Sequence, residues 1–579
     1  MHTFRVWAPL PKNVQLQLDG RRFQMEAVPG GWWTLAVPTV DSGGDYGFVL
    51  DGEGPFPDPR SAWQPQGVHG LSRLVNHGSF PWTDIGRQSA PLSSAVLYEL
   101  HIGTFTPQGT FEAAIEKLDH LVELGITHVE LMPVNEFDGD RGWGYDGVDL
   151  YAPHHAYGGP TGLKRLVEAC HLRRLGVLLD VVYNHLGNSG NYLSRFGPYF
   201  SSDCSTPWGP ALNLDGPDSD EVRCFFLDNA SMWLCEYHFD GLRIDAVHAL
   251  RDDSARPFLD QLGRRVRETS AHLGRHIILI AESDLNDPRL LWSRDRGGLE
   301  FCAQWNDDFH HALHAILTQE NVGIYQDFGS LAHFCKAVGH GYVYDGQFSA
   351  YRRRTHGREP SGLNGHRFLA YLQNHDQVGN RAKGDRSSQL MSLGRLKIGA
   401  ALVFTSPFVP MLFQGEEWGA STDFPFFTNY PEPDFAQAVR EGRRREFAAY
   451  GWKPEEIPDP QSDEVFLHAK LNWAELASPP FAELLDWHRQ LIRLRRAEVG
   501  LTDGRMELVQ TSFDEKARWL VIERGAISIA CNLGADTQRV PLKKSRRHLL
   551  LGSGVGACLP LDGVDLAPDS VAILKSEAP

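Results

Sequence analysis

The stretch GLRIDAVH, from Gly241 to His248, runs from an apolar strand into a cluster of polar side chains. Three other segments share this design, an apolar run that ends in carboxylate, amide or imidazole groups. They are DVVYNH (Asp180 to His185), ILIAESD (Ile278 to Asp284) and LQNHD (Leu372 to Asp376). In a (β/α)8 barrel the interior is packed with branched hydrocarbon, and the active site lies at the carboxyl ends of the strands. The four clusters therefore predict one site at that end of a barrel.

Outward from these segments, apolar strands alternate with amphipathic helices, which is the pattern of a parallel sheet with helical crossovers. The expected strands are Val96 to His101, His128 to Pro133, Val177 to Tyr183, Gly241 to Asp245, Ile277 to Glu282, Phe301 to Trp305, Phe368 to Asn374 and Val409 to Phe413. Eight such strands indicate an α/β protein with a closed (β/α)8 TIM barrel. A long aromatic insert, Asp138 to Gly162, is typical of a substrate-binding loop. Loops and short helices are expected from Thr422 to Ser478, which is polar and Pro-rich.

Both ends of the chain have a different pattern, short β-prone runs separated by turn residues. We therefore expect three domains. Residues 1–88 form an N-terminal β-sandwich, 89–500 a catalytic barrel with insertions, and 501–579 a C-terminal antiparallel β domain.

Composition excludes several other classes of protein. Acidic side chains outnumber basic ones 73 to 56, and a net charge of -17 argues against a nucleic-acid partner. The N-terminus has no export signal and the chain no long apolar run, so we expect a cytoplasmic protein without membrane contact. The 8 cysteines form no CxxC pair, which favours reduced thiols over zinc ligands or a disulfide frame.

Cleavage of a glycoside needs one carboxylate to attack the anomeric carbon and one acid to protonate the leaving oxygen, about 5 to 5.5 Å apart when configuration is retained. Asp245 and Glu282 end adjacent predicted strands, so a barrel could supply that separation. Arg243 lies two residues before Asp245 and therefore on the same side of the strand, where it should keep Asp245 ionised. Burial and nearby negative charge should raise the pKa of Glu282. We expect Asp245 to be the nucleophile and Glu282 the general acid/base.

Further polar residues complete the predicted site. Asp376 is a third carboxylate that can accept hydrogen bonds from sugar hydroxyls, and His185 and His375 can donate to them. Each alone could equally be a structural residue, but four clusters at four strand ends favour a shared site. Tyr145 is the candidate for stacking on the reacting sugar, and its alternative role is that of a core tyrosine in a folded loop.

With these four clusters, the sequence resembles glycoside hydrolase family 13, the α-amylase family, over most of residues 95–420. The resemblance implies the roles of nucleophile for Asp245, acid/base for Glu282 and transition-state stabiliser for Asp376. It places Arg243, His185 and His375 around the first sugar site, and it implies no catalytic metal and no cofactor. His310, His311 and His314 include an i, i+4 pair, but without the Glu of an HExxH motif they are expected to be helix histidines rather than a metal site.

A finer resemblance is to the maltooligosyltrehalose trehalohydrolases within that family. It rests on RGWGYDGVDLYAPHHAYGGP (Arg141 to Pro160), TPWGPALNLD (Thr206 to Asp215), QWNDDFHHALH (Gln304 to His314), QNHDQVGNRAKGDR (Gln373 to Arg386) and FQGEEWGAS (Phe413 to Ser421). It implies an early-set, immunoglobulin-like N-terminal sandwich and a retaining hydrolase that cleaves the α-1,4 bond next to a terminal trehalose. It also implies functional pairing with a maltooligosyltrehalose synthase. Trp208, Tyr325 and Asp308 are expected near the trehalose pocket.

Two other functions stay open. A 1,4-α-glucan branching enzyme shares YELHIGTF (Tyr98 to Phe105) and the covalent intermediate, but passes the glucan to a sugar hydroxyl instead of water. A non-catalytic glucan-binding protein could keep the same fold. The joint presence of a nucleophile, an acid and a third carboxylate argues against the second alternative.

Overall fold

A computed structural model describes residues 1–38, 40, 43–206, 208–448, 452–543, 545–554 and 559–577. Within them, eight parallel strands close into a barrel, so all eight predicted strands are confirmed with ends that differ by a few residues. In chain order they are β1 (Leu97–Leu100), β2 (His128–Leu131), β3 (Gly176–Val181), β4 (Gly241–Ile244), β5 (Ile278–Ala281), β6 (Ala303–Trp305), β7 (Phe368–Ala370) and β8 (Val409–Phe413). Pairing of β8 with β1 closes the ring.

Helices surround the barrel and connect its strands. They are Phe111–Ile115 and Leu118–Leu124 after β1, Gly159–Leu172 after β2, Ser219–Glu236 after β3, Phe258–Leu273 after β4, Asp307–Thr318 and Leu331–His340 after β6, Leu393–Thr405 after β7, and Pro433–Ala448 and Phe481–Ala497 after β8. Shorter helices are Ile102–Phe105, Leu193–Phe196, His375–Gly379, Ser387–Leu390, Asp463–His468 and Val499–Thr502. The connection from β5 to β6 is described throughout and contains only the short 3-10 turns Pro288–Leu290 and Arg294–Arg296.

Strand register sets which side chains meet in the upper barrel. Glu99 on β1 lies opposite Glu130 on β2, and Asp180 on β3 lies opposite Arg243 on β4. Gly241 opens β4, where an added Cβ would lie 2.2 Å from the carbonyl oxygen of Ile278. The backbone of β5 approaches so closely that only glycine fits there. The parallel pairing of β4 with β5 carries the residues that follow them to neighbouring positions.

Two antiparallel sheets form the N-terminal part, as the β-sandwich expectation requires. One sheet contains His2–Trp7, Trp32–Val37 and Glu26–Val28. The other contains Arg21–Gln24, Val14–Leu18, Asp45–Leu50 and Glu53–Phe56, with Ser72–Arg73 paired to Asp45–Leu50. Alternating buried residues between the sheets, among them Phe4, Val6, Leu16, Trp33 and Phe48, form their core.

The C-terminal part is antiparallel as expected. Its larger sheet contains Val509–Asp514, Trp519–Arg524, Ile527–Asn532, Ser570–Ser576 and Arg547–Gly552, in that order, and its smaller sheet pairs Gln538–Pro541 with Gly563–Leu566. The domain boundaries at residues 88 and 500 stay predictions. The first falls between Ser72–Arg73 and β1, and the second falls inside the short helix Val499–Thr502.

The region from 422 to 478 corrects one expectation, because it holds a 16-residue helix, Pro433–Ala448, rather than only loops and short helices. Only Ala436 and Phe447 of that helix are buried, so few apolar residues mark it in this polar part of the sequence. Among the described residues, no helix combines the length and apolar character needed to cross a bilayer. Each of the seven described cysteines is free, and Cys558 lies outside the described residues.

Candidate active site

Arg243 is the centre of the site at the carboxyl ends of the strands. Its side chain is 0% exposed, and Nη1 donates to Asp245 Oδ1 at 2.6 Å and to both oxygens of Asp180 at 2.9 and 3.0 Å. Nη2 lies 3.8 Å from Glu282 Oε2, and the guanidinium lies over the Trp305 ring at 4.1 Å. One buried cation therefore brings the two predicted catalytic carboxyls together.

The two carboxyls have different surroundings. Asn184 donates to Asp245 Oδ2 at 2.7 Å, so each Asp245 oxygen accepts a hydrogen bond. Glu282 Oε2 accepts the backbone N–H of Ala246 at 2.6 Å. Ala246 has a φ of 39°, a left-handed conformation that costs energy for alanine and turns this N–H toward Glu282.

Burial raises the pKa of Glu282 well above its usual range. Arg243 opposes this effect, while Asp245, Asp307 and Asp376 add to it. Glu282 therefore holds a proton at a pH where an exposed glutamate would be ionised, which is the property a general acid needs.

His375, Asp376 and Tyr145 lie beside one another and line the same cavity as the two predicted catalytic carboxyls. Asn374 caps the helix His375–Gly379, which begins a few residues after the end of β7. Asp376 is 42% exposed at its side chain, and its Oδ1 lies 3.5 Å from His375 Nε2. Tyr145 stacks on the His375 ring at 5.1 Å and donates its hydroxyl to Asp180 Oδ2 at 2.6 Å. The hydrogen bond to Asp180 and the stacking on His375 hold Tyr145 in place, and its side chain lines the cleft.

Two cavities of about 520 and 810 Å³ meet at Asp376 and Asn380. The smaller is lined by most of the predicted site residues, namely Tyr145, His185, Trp208, Asp245, Glu282, His375 and Asp376. The larger is lined by Tyr325 and Asp376 together with Asp284, Asp307 and His311. Arg243 lines neither cavity but contacts Asp245 and Glu282 in the wall of the smaller one, so the structure brings these predicted residues together.

Trp208 and His185 form a stacked pair on one wall. Trp208 is 46% exposed, and its ring lies 5.3 Å from that of His185. Burial lowers the pKa of His185, which favours a neutral imidazole that can hydrogen-bond a sugar hydroxyl.

Tyr325 and Asp308 differ in their access to the cleft. Tyr325 lines the larger cavity, stacks on His314 at 4.4 Å and lies with its hydroxyl 3.0 Å from His310 Nε2. Asp308 is buried, and its Oδ2 accepts hydrogen bonds from Asn286 Nδ2 and from the backbone of residues 343 and 344 at 2.7 to 2.8 Å. Neither cavity lining includes Asp308, so its place near the sugar stays a prediction.

Sequence reasoning missed four residues that organise this site: Glu99, Asp180, Asn184 and Trp305. Asp180 and Asn184 both lie in DVVYNH. The available signal was a charged group inside an apolar strand for Asp180 and an amide just after that strand for Asn184. For Glu99 the signal was the acid in YELHIGTF. Trp305 looks like an ordinary core residue in sequence.

A separate trio, Glu136, His154 and His155, places potential metal-ligand atoms within 4.8 Å of one another. His154 Nδ1 accepts the backbone N–H of Ala156, which places the proton of the neutral ring on Nε2. His155 is held by Glu136 through Nδ1 at 2.6 Å. These contacts describe an internal hydrogen-bonded cluster, so we assign it no metal.

Comparison with known proteins agrees with this geometry. The family "Alpha amylase, catalytic domain" matches residues 77–202, and "Domain of unknown function (DUF3459)" matches residues 507–573. A protein of Mycobacterium tuberculosis named malto-oligosyltrehalose trehalohydrolase is 50% identical over 100% of both chains. The chain belongs to the malto-oligosyltrehalose trehalohydrolase family.

Two further proteins are similar to the chain, one over nearly all of its length and one over about half of it. A crystal structure described as a putative α-amylase from Salmonella typhimurium has a TM-score of 0.91 at 39% identity, covering 99% of this chain and 97% of that one. The 1,4-alpha-glucan branching enzyme GlgB of Shewanella baltica is 33% identical over 52% of this chain and 47% of its own length. The chain therefore has a higher identity to the trehalohydrolase than to the branching enzyme, and the match covers more of both chains.

Proposed function

We propose that the chain hydrolyses the α-1,4-glucosidic bond next to the terminal trehalose of maltooligosyltrehalose and releases trehalose with retention of configuration. The observation that carries the chemistry is one buried guanidinium in reach of two carboxyls, Asp245 at 2.6 Å and Glu282 at 3.8 Å. Such a pair suits a nucleophile and an acid on one glycosidic bond. The name of the relative at 50% identity supports the trehalose end of the substrate.

Asp245 attacks the anomeric carbon while Glu282 gives its proton to the glycosidic oxygen, so the carbon–oxygen bond breaks and the trehalose end leaves. The glucan is then bonded to Asp245. Glu282, now a carboxylate, takes a proton from water, whose oxygen attacks the same carbon and releases Asp245. The raised pKa of Glu282, caused first by burial, favours the protonated form that the first step needs.

The remaining predicted residues surround the reacting sugar. We assign hydroxyl contacts to Asp376, His375 and His185, and stacking to Tyr145, because all four line the smaller cavity. Trp208 is proposed as a partly exposed platform on the same wall. For the larger cavity we propose Tyr325 as a sugar contact, with Asp308 supporting the loop behind it.

The substrate also has to be made. We propose that a maltooligosyltrehalose synthase supplies it, since this reaction needs a glucan that already ends in trehalose. The expected cytoplasmic location stays a prediction.

Incubation with maltooligosyltrehalose and, separately, with amylose tests the function. Trehalose release without new α-1,6 branches is the expected outcome, and the newly formed reducing end should appear first as the α-anomer by proton NMR. Branching of amylose without trehalose release would favour a branching enzyme. Glucan binding without any bond cleavage would favour a non-catalytic protein.

A further inference from the structure

Three acids lie in the barrel interior beneath the proposed site, and each is only 1% exposed. Asp180 is held by Arg243 and Tyr145. Glu99 is held by His375. Neither carboxyl oxygen of Glu130 has a hydrogen-bond partner among the residues that the structure describes. The three acids are equally buried but have different hydrogen-bond partners, so we assign them different roles.

Glu99 contacts His375 through both of its carboxyl oxygens. Glu99 Oε1 lies 2.5 Å from His375 Nδ1, and Oε2 accepts the backbone N–H of His375 at 3.1 Å. The other ring nitrogen, Nε2, lies 3.5 Å from Asp376 Oδ1. With a carboxylate at each nitrogen, both are placed as donors, and the ring links the buried acid to the acid in the cleft.

We propose that Glu99 is a positioning residue that keeps His375 an imidazolium and aims its Nε2–H at Asp376 and at a hydroxyl of the reacting sugar. The inference rests on the glycoside hydrolysis proposed above. Glu99 does not touch substrate itself, since it lies behind His375 and lines neither cavity. No covalent step is added to the reaction.

The charges around His375 favour its cationic form. Burial lowers the pKa of His375, but Asp376 and Glu99 outweigh burial and raise it to about 9. Arg243 opposes them from β4. The other charged or titratable neighbours are Glu130 on β2, Asp180 on β3, His101 after β1 and the stacked Tyr145.

Glu130 adds little negative charge because it stays protonated. Burial raises its pKa well above the usual range, and Glu99 raises it further. Of these two neighbouring glutamates, only Glu99 contacts the ring. Glu99→Gln and Glu130→Gln therefore form a matched pair of isosteric changes on adjacent strands, in which only the first alters a group that contacts the His375 ring.

The test is the titration of His375 in full-length protein labelled with 15N-histidine, assigned with His375→Asn. In the wild type, both ring nitrogens should have imidazolium shifts up to pH 8. In Glu99→Gln the His375 pKa should fall by at least one unit, whereas in Glu130→Gln it should move by less than 0.3 units. The kcat of Glu99→Gln at pH 7.5 should fall roughly 10- to 100-fold, the range of a lost charged hydrogen bond. KM should change less than threefold.

A neutral His375 in the wild type at pH 7 would overturn the inference, even if Glu99→Gln failed to fold. An unchanged titration in a folded Glu99→Gln variant would also overturn it. Failure of the proposed function looks different, because wild-type protein would then release no trehalose. If the wild type releases trehalose normally and Glu282→Gln does not, the function is supported. An unchanged His375 titration in Glu99→Gln then contradicts only the role proposed for Glu99.

Discussion

Replacement of Arg243 by lysine separates the charge of this residue from its geometry. Arg243 Nη1 alone serves Asp245 at 2.6 Å and Asp180 at 2.9 Å, and the planar group stacks on Trp305 at 4.1 Å. An ammonium keeps the positive charge but has neither the fork nor the flat face. Because the lysine side chain is shorter than that of arginine, its ammonium cannot hydrogen-bond both aspartates. Asp245 therefore loses its fixed hydrogen-bond donor.

The magnitude follows from the contact that is lost. A hydrogen bond to a charged group contributes about 1.5 to 3 kcal/mol. If the Asp245 contact persists in the transition state, its loss lowers kcat/KM roughly 10- to 150-fold at 1.36 kcal/mol per tenfold. The free energy of unfolding should also fall by about 1.5 to 3 kcal/mol, because Asp180 loses part of its pairing inside the barrel.

The assay is trehalose release from maltooligosyltrehalose, with melting temperature measured on the same samples. Arg495→Lys is the matched control. Arg495 is also buried, but it donates to the backbone carbonyls of residues 404, 406 and 408 rather than to carboxylates. Arg495→Lys should lose stability and keep its kinetics within twofold. A stable Arg243→Lys with kcat/KM within threefold of wild type would refute the claim that the position of the guanidinium, and not only its charge, organises Asp245 and Asp180.

Three other changes have distinct expected outcomes. Glu282→Gln should lower kcat about 10²- to 10⁴-fold while calorimetry finds glucan binding retained, because only the transferable proton is removed; undiminished turnover would exclude Glu282 as the acid. Trp208→Ala should raise KM by about two- to tenfold, the size of one aromatic contact, and an unchanged KM would assign the ring to packing. His171→Gln should cost about 3 to 5 kcal/mol of unfolding free energy at pH 6 and less at pH 9, measured by chemical denaturation.

The pH dependence of the His171 variant follows from its two partners. Its Nδ1 lies 2.7 Å from Asp84 and its Nε2 3.1 Å from Asp240, which ties the segment before the barrel to the barrel itself. Burial lowers the pKa of His171, but the hydrogen bonds to Asp240 and Asp84 outweigh it and raise the pKa. A group with a raised folded pKa stabilises fully below its unfolded value of about 6.5, and this contribution disappears as pH rises through the folded value. Equal destabilisation at pH 6 and pH 9 would contradict this origin.

The strands, and the gathering of the candidate residues at one end of the barrel, were predictable because both follow from short-range pattern. Apolar runs that end in polar residues mark the carboxyl ends of barrel strands, and closure then gathers those ends whatever the loop lengths. Arg243 and Asp245 share a face because they are two residues apart. The helix Pro433–Ala448 was missed because it is strongly polar and buries only Ala436 and Phe447, so few apolar residues mark the face that packs.

Glu99 and Glu130 show what the sequence could not separate. Each is an acid inside an apolar strand, and the two lie opposite each other in register. Only barrel closure brings the segment after β7 to Glu99, and with it the imidazole of His375. Two cations, Arg243 and His375, then face three buried acids, and burial raises the pKa of Glu130, the acid that contacts neither cation, well above its usual range. Which of these acids contacts a cation is set by closure of the barrel, a long-range property that no local pattern contains.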